Sequence, residues 1–323
     1  MAKIVLGIGT SHSPQLSTLP EKWPEGADRF SRPGFELYNV PSGERISFEE
    51  LEARATPAID KEVTIDKFRA RYDECQSNLA WLTDVIEKAR PDVLVMFGDD
   101  QKELFLEELL PTFSVFWGNE FPIIRGEGRL SALPAYSWEQ PRTIPAVGDL
   151  GRHIIEHLCA NDIDVSQSNR IEAGRSISHP FAFVHRRILG DNHIPTIPIW
   201  INTYFAPNQP SSKRCYELGR AVGAAIADWP KDIRVGVVAS GGLSHFTIDE
   251  ELDRIMLKAM KDLDTKTIYG LPKKRMQAGT SESNLWIATA GAVEHLEMTE
   301  TRYVPCYRTR AGTGCAMGFA TWN

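Results

Sequence analysis

No stretch of this chain is apolar for long enough to cross a bilayer, and no Lys/Arg-rich block interrupts its 323 residues. A spanning helix needs about 20 consecutive apolar residues, so the first absence argues against a membrane helix. The second, together with a net charge of -7, argues against nucleic-acid binding and against a basic membrane-surface helix, both of which rely on clustered positive charge. The opening MAKIVLGIGTSHSPQL has a short apolar run that meets a polar turn at once, unlike a secretory leader, and a cytoplasmic location is expected. Cysteine is scarce and scattered. Cys75, Cys159, Cys215, Cys306 and Cys315 contain no CxxC pair and are odd in number, so neither a disulfide framework nor a zinc ribbon is indicated. They read as reduced, small, largely buried side chains. An HExxH zinc motif is missing too: HIIEH at 153–157 lacks its Glu placement, and His153 and His157 read as partly exposed helix residues.

What is present is an alternation of two patterns. IVLGIG (4–9), VLVMF (93–97), TIPIWI (196–201) and RVGVVAS (234–240) are short β-rich apolar runs that stop at turn formers, as buried strands do. Between them, 64–90 carries Phe68, Tyr72, Leu79, Leu82 and Ile86 on one helical face and ends at RPD. A second helix is expected over about 211–228, with Leu218, Val222 and Ile226 four apart. A third is expected in TIDEELDRIMLKAM, where Thr247 and Glu250 have capping-box spacing. The fold class that follows is α/β, a mostly parallel central sheet flanked by helices, with 1–323 as a single catalytic domain and its active site at the C-terminal ends of the strands. Residues 17–60, rich in Pro, Gly and charge and carrying Trp23, Phe30, Phe35 and Tyr38, form an irregular insertion read as a lid over that site.

The four strand ends lead into GTSHSP with His12, GDDQ, NTYFAPNQP and SGGLSHF with His245. Each His alone is more often a structural hydrogen-bonding residue, but two at one end of a sheet with a carboxylate in reach suggest a metal. Glu251, six residues after His245, is the expected carboxylate, because Glu250 already serves the helix N-terminus. A His, a carboxylate and one further donor would leave open positions on the ion, an arrangement suited to non-heme Fe(II). His179, in the turn-like SISHPF, reads equally as a loop residue or a substrate contact, and His193 and His295 read as surface or loop residues.

GTSHSP, the strand ending in an acidic turn, SHPF, SGGLSH followed by EELD, and the closing GTGCAMGFATW together resemble the class III extradiol ring-cleavage dioxygenases, the superfamily of the protocatechuate 4,5-dioxygenase β subunit. The resemblance spans the chain apart from 17–60. It implies Fe(II) as cofactor, His12 and Glu251 as metal ligands, His245 as the acid/base residue, and His179 as a second-sphere residue bonding the bound catechol. In the family a second His ligand follows an Asp after the second strand; here that place reads Asp100-Gln101. Alignment by Phe97 and Phe105 puts Gln101 at the ligand position, while Asp100 or Asp99 would give one His and two carboxylates.

The activity implied is opening of a catechol-type aromatic acid beside its two hydroxyls using O2. Related enzymes take protocatechuate, gallate, methylgallates, aminophenols or catechols with propanoid side chains; a trihydroxy or methoxylated benzoate-like acid is expected here. Lys213, Arg214, Arg308 and Arg310 are candidates for holding its carboxylate, each also readable as a solvated charge. The competing readings are a metal-dependent hydrolase, which would act without O2, and a non-catalytic relative. Beyond the small aromatic substrate and O2, a symmetric homo-oligomer is expected.

Overall fold

The computed structural model describes the chain except residues 33, 127–129 and 131, so one position of the 17–60 segment lies outside the described residues. Among the described residues one sheet has nine strands: β1 (Lys3–Thr10), β2 (Val93–Gly98), β3 (Phe113–Phe116), β4 (Ser166–Ser168), β5 (Thr196–Ile201), β6 (Arg234–Ser240), β7 (His245–Thr247), β8 (Met298–Tyr307) and β9 (Thr313–Trp322). The order runs β7-β9-β1-β6-β2-β5-β3-β4, with β8 also paired to β9. The four strands legible in the sequence, β1, β6, β2 and β5, are the contiguous parallel centre. Antiparallel pairs extend it on both sides, so the sheet is mostly parallel at its core and mixed at its margins.

Both faces of this centre are covered, which is why its strands lack polar alternation. Side chains alternate across a strand. In β2, Val93, Val95 and Phe97 enter one core, with helices α2 (Gly148–Ala160), α4 (Ser212–Ala227), α5 (Glu250–Lys261) and α6 (Ser283–Ala292) on that side. Leu94 and Met96 enter the other core, against α1 (Ile65–Ala89) and α3 (His179–Phe183). Each such aliphatic side chain contributes about 1.5–3 kcal/mol by leaving water. The register aligns Thr10 with Ser240, Ala239 with Phe97 and Gly98 with Trp200, so the segments after β1, β6, β2 and β5 emerge along one edge.

Helix boundaries follow local chemistry. Thr64 caps α1 through its hydroxyl to the Lys67 N–H, and Arg90 ends it in the left-handed region at φ 48° immediately before Pro91. Ser211 caps α4. The expected cap at Thr247 is corrected: Thr247 is paired to Thr313 in β7, and Asp249 caps α5 by accepting from the Leu252 N–H at 3.1 Å. Thr247 stands three residues before the helix begins, so the cap position falls to Asp249.

Helices α4 and α6 meet backbone to backbone. A Cβ at Gly219 would lie 1.9 Å from the Ala288 carbonyl oxygen, an atom that cannot swing aside. We expect Gly219→Ala to cost about 3 kcal/mol or more, at the upper end of overpacking effects, read as a lowered denaturant midpoint; an unchanged midpoint would mean the helices do not pack this closely.

The described residues of 17–60 are ordered rather than featureless. They contain short 3-10 turns, a hairpin pairing Leu37–Tyr38 with Arg45–Ile46, and a helix Phe48–Ala53 with a Ser47/Glu50 capping box. Ala27, Phe30, Leu37, Ile46 and Leu51 form their own small core with Ala311, against which Phe35 and Phe246 pack. The segment therefore rests beside His245, the neighbour of Phe246. Four cysteines are buried and Cys159 is exposed; none forms a disulfide. His153 and His157 are partly exposed on α2, the former bonded to the Ala225 carbonyl.

Candidate active site

His12, two residues beyond β1, is 3% exposed, and its tautomer follows from its neighbours. The Ser240 hydroxyl gives its proton to the Pro180 carbonyl at 2.8 Å, so it can only accept from His12 Nδ1–H at 3.2 Å. The Nε2 lone pair is thereby left facing the cluster. Burial, only partly offset by Glu282, pushes its pKa down to about 3, so the ring is neutral. Tyr136 fixes the same residue by donating its hydroxyl to the His12 carbonyl at 2.7 Å.

Beyond β2 the adjacent acids diverge. Asp100 turns away and accepts from the N–H groups of Glu103, Leu104 and Phe105 and from the Ser178 hydroxyl, so it folds the turn. Asp99 points inward, 1% exposed, with Oδ1 lacking a partner among the described residues. Burial and then Glu282 push its pKa up to about 8. Gln101 reaches the cluster with its amide nitrogen 3.3 Å from Glu282 and 3.4 Å from Asp99, a donor shared by two carboxylates.

His179 opens α3. Its Nδ1–H and its backbone N–H both donate to Glu103 Oε2, at 2.6 and 3.0 Å, which aims Nε2 at His12 Nε2, 3.1 Å away. Burial opposes its charge, but Glu103 prevails and raises its pKa to about 9. His245 donates Nδ1–H to the Leu243 carbonyl at 2.7 Å and presents Nε2 to Glu282 Oε1 at 3.3 Å. Burial again works against protonation, and the Glu282 charge outweighs it, so His245 titrates well above an ordinary His. Gly242 and Gly279 clasp its ring; a Cβ at Gly279 would lie 2.0 Å from Cδ2.

The carboxylate at the centre is Glu282, not Glu251. Glu282 is 2% exposed, lies 3.4 Å from His12 Nε2, and accepts the Gly242 N–H at 2.8 Å. Burial would raise its pKa, but His245 and His12 bring it down to about 2. Glu251 sits in the first turn of α5 with a side chain 68% exposed and pairs with Arg275 at 3.0 Å. Its spacing from His245 misleads because β7 and the Asp249 cap intervene, and α5 leads away toward solvent. Glu282 escapes a periodicity reading because it stands in GTSESN, which looks like a solvated turn. The available signal was the next helix: NLWIATAGA is apolar all round, so α6 had to be buried, and its preceding acid with it.

His12, Asp99 and His179 form a group able to hold a metal ion, with one ligand atom of each within 4.8 Å of the others. A small chamber of about 70 Å³ is lined by His12, Gln101, His179, His245, Glu282 and Arg308. It adjoins a cavity of about 690 Å³ through the shared walls Arg29, Gln101, Leu130 and Phe246. Of the four basic residues considered for the substrate, Lys213 pairs with Glu217, Arg310 with Asp60, and Arg214 lies over the Phe113 ring. Only Arg308 among those four lines the chamber. No helix among the described residues is long and apolar enough to cross a membrane.

Known proteins share this sequence pattern. Residues 57–309 match the family model described as the catalytic LigB subunit of aromatic ring-opening dioxygenase. A 2,3-dihydroxyphenylpropionate/2,3-dihydroxicinnamic acid 1,2-dioxygenase from Photorhabdus laumondii is 29% identical over 167 residues, 51% of this chain and 46% of that protein. One of the same name from Rhodococcus jostii is 28% identical over 201 residues, 62% and 55% of the two chains. A gallate dioxygenase from Pseudomonas putida is 32% identical over 111 residues, 32% of this chain and 31% of that protein. The chain thus aligns with about half the length of these relatives, or less. Because the family match runs through most of the chain and takes in the turn after β2, His179, His245 and Glu282, the chain belongs to the LigB family of aromatic ring-opening dioxygenase catalytic subunits.

Proposed function

We propose that this chain is an Fe(II)-dependent extradiol dioxygenase that opens the ring of a catechol-type aromatic acid with O2. The observation that carries the reading is the grouping of His12, Asp99 and His179, one ligand atom of each within 4.8 Å of the others, with Glu282 and His245 lining the same chamber as His12 and His179 at the ends of the parallel strands. The donors suit a divalent ion: a neutral imidazole with its Nε2 lone pair inward, a buried carboxylate oxygen without a partner among the described residues, and a second carboxylate held ionised. His12, Asp99 and Glu282 would hold the metal, and Gln101, whose amide N–H lies against both carboxylates, would orient them rather than ligate. When bound, ferrous ion would supply neighbouring coordination positions for two catechol oxygens and for O2.

The remaining residues have work that follows from their bonds. His245, which the Glu282 charge keeps protonated, would act first as the acid, giving its Nε2 proton to a substrate oxygen and later regaining it. His179, fixed by Glu103, donates from Nε2 to a substrate oxygen. The 17–60 segment, packed on Phe246, acts as a built-in cover that limits water. Relatives named for gallate and for dihydroxyphenylpropionate act on aromatic acids, which supports an acid as substrate.

The test is reconstitution with Fe(II) under anaerobic conditions, addition of gallate, 3-O-methylgallate, protocatechuate or caffeate, then admission of air. Product is expected only after air enters. Product formed without O2, or equally with Zn(II), would favour a hydrolase; no reaction with any catechol would leave the non-catalytic reading.

A further inference from the structure

Arg308, directly after β8, is 8% exposed and lines the chamber with His12, His245 and Glu282. A buried guanidinium is costly unless its charge is answered, usually by a carboxylate in fork geometry. Here the contact is weak: Nη1 lies 3.5 Å from the Gly26 carbonyl, and Nε has no partner among the described residues. No carboxylate among the described residues forms an ion pair with it. The acid that lines the chamber with it, Glu282, is committed to His12 and His245.

A second cation stands close by. Arg29, from the 17–60 segment, lines both the chamber and the larger cavity and lies over the Phe30 and Phe246 rings at 5.0 and 5.1 Å. Burial first and then Arg29 lower the Arg308 pKa, to about 10, so Arg308 is still charged at neutral pH. Two guanidinium groups beside one chamber, the deeper of them lacking a counter-ion among the described residues, are a receptor for an anion.

We infer that Arg308, assisted by Arg29, is a carboxylate-binding subsite that fixes the acid group of an aromatic ligand at the end of the chamber. This deepens the dioxygenase reading, on which it rests only for the fate of the ligand's other end. Selectivity for acids over neutral catechols would then come partly from the 17–60 segment. That segment would supply a substrate contact as well as a cover.

The test uses the Fe(II)-loaded protein under anaerobic conditions and measures the binding of 4-hydroxybenzoate and of its neutral amide by calorimetry, since neither has the adjacent hydroxyls needed for turnover. The wild type is expected to bind the acid about 10- to 100-fold more tightly than the amide, the usual worth of a charge-assisted hydrogen bond. Arg308→Gln should erase that preference, Arg308→Lys should keep part of it, and Arg29→Gln, at a half-buried position, should weaken it. An Arg308→Gln protein with native circular dichroism that still prefers the acid, or a wild type indifferent to the charge, overturns the subsite. If acid and neutral catechols are oxidised equally well, the subsite fails while the dioxygenase reading stands. If the acid preference depends on Arg308 but no catechol consumes O2, the subsite stands and the dioxygenase reading fails.

Discussion

Replacing Glu282 with Gln is expected to strip the protein of iron and of turnover, while Glu251→Gln leaves both within a factor of two or so of wild type, an exposed pair being worth about 0–1 kcal/mol. The contrast rests on position. Glu282 is buried, kept ionised by the protonated His245 and the Gly242 N–H, and shares the Gln101 amide with Asp99, so its charge is concentrated on the space where a cation would sit. Glu251 faces solvent and touches Arg275. Loss of even an orienting outer partner costs a metal site about 10- to 100-fold in affinity, so loss of a ligand should exceed about 100-fold. Metal content after gel filtration and a ferrous-ion titration would read it. Equal iron binding by Glu282→Gln and wild type would remove Glu282 from the site.

His245→Gln should show the second large effect, a fall in kcat of about 10²- to 10⁴-fold, the usual share of a general acid/base, with KM little changed. Iron should stay bound to within about tenfold, because His245 reaches the cluster only through Glu282. Gly279→Ala should imitate it without touching any titrating group: the new methyl would overlap the His245 ring and drive it off Glu282. Pre-steady-state traces showing normal substrate binding and slow ring opening in both variants would match this role. Loss of substrate binding with an unchanged chemical step would reassign His245 to recognition.

The parallel centre of the fold was legible because its strands are buried on both faces and their composition says so. The outer strands were not, since β8 alternates exposed and buried residues weakly and β4 spans three polar residues. Within the site, His12, His179, His245 and the turn at 99–101 could be found because each follows or lies near a recognisable strand end or turn. Which acid of the turn points inward could not, because that depends on Asp100 being consumed by three backbone N–H groups and Ser178, a closure visible only in three dimensions. Glu282 was hidden for a related reason. It is brought to His12 by the docking of a uniformly apolar helix, and such a helix carries no period that points at a partner. Arg308 is one of several basic residues in the sequence, and what sets it apart is burial beneath the 17–60 segment packed beside it, which no local pattern encodes.

The most direct measurement is O2 consumed per substrate consumed, taken together with the structure of the product, for the Fe(II)-loaded protein given gallate or protocatechuate. One O2 per substrate and a product opened beside the two hydroxyls are the result this account predicts. Consumption of substrate with no O2 uptake, or a product opened between the hydroxyls, would contradict it.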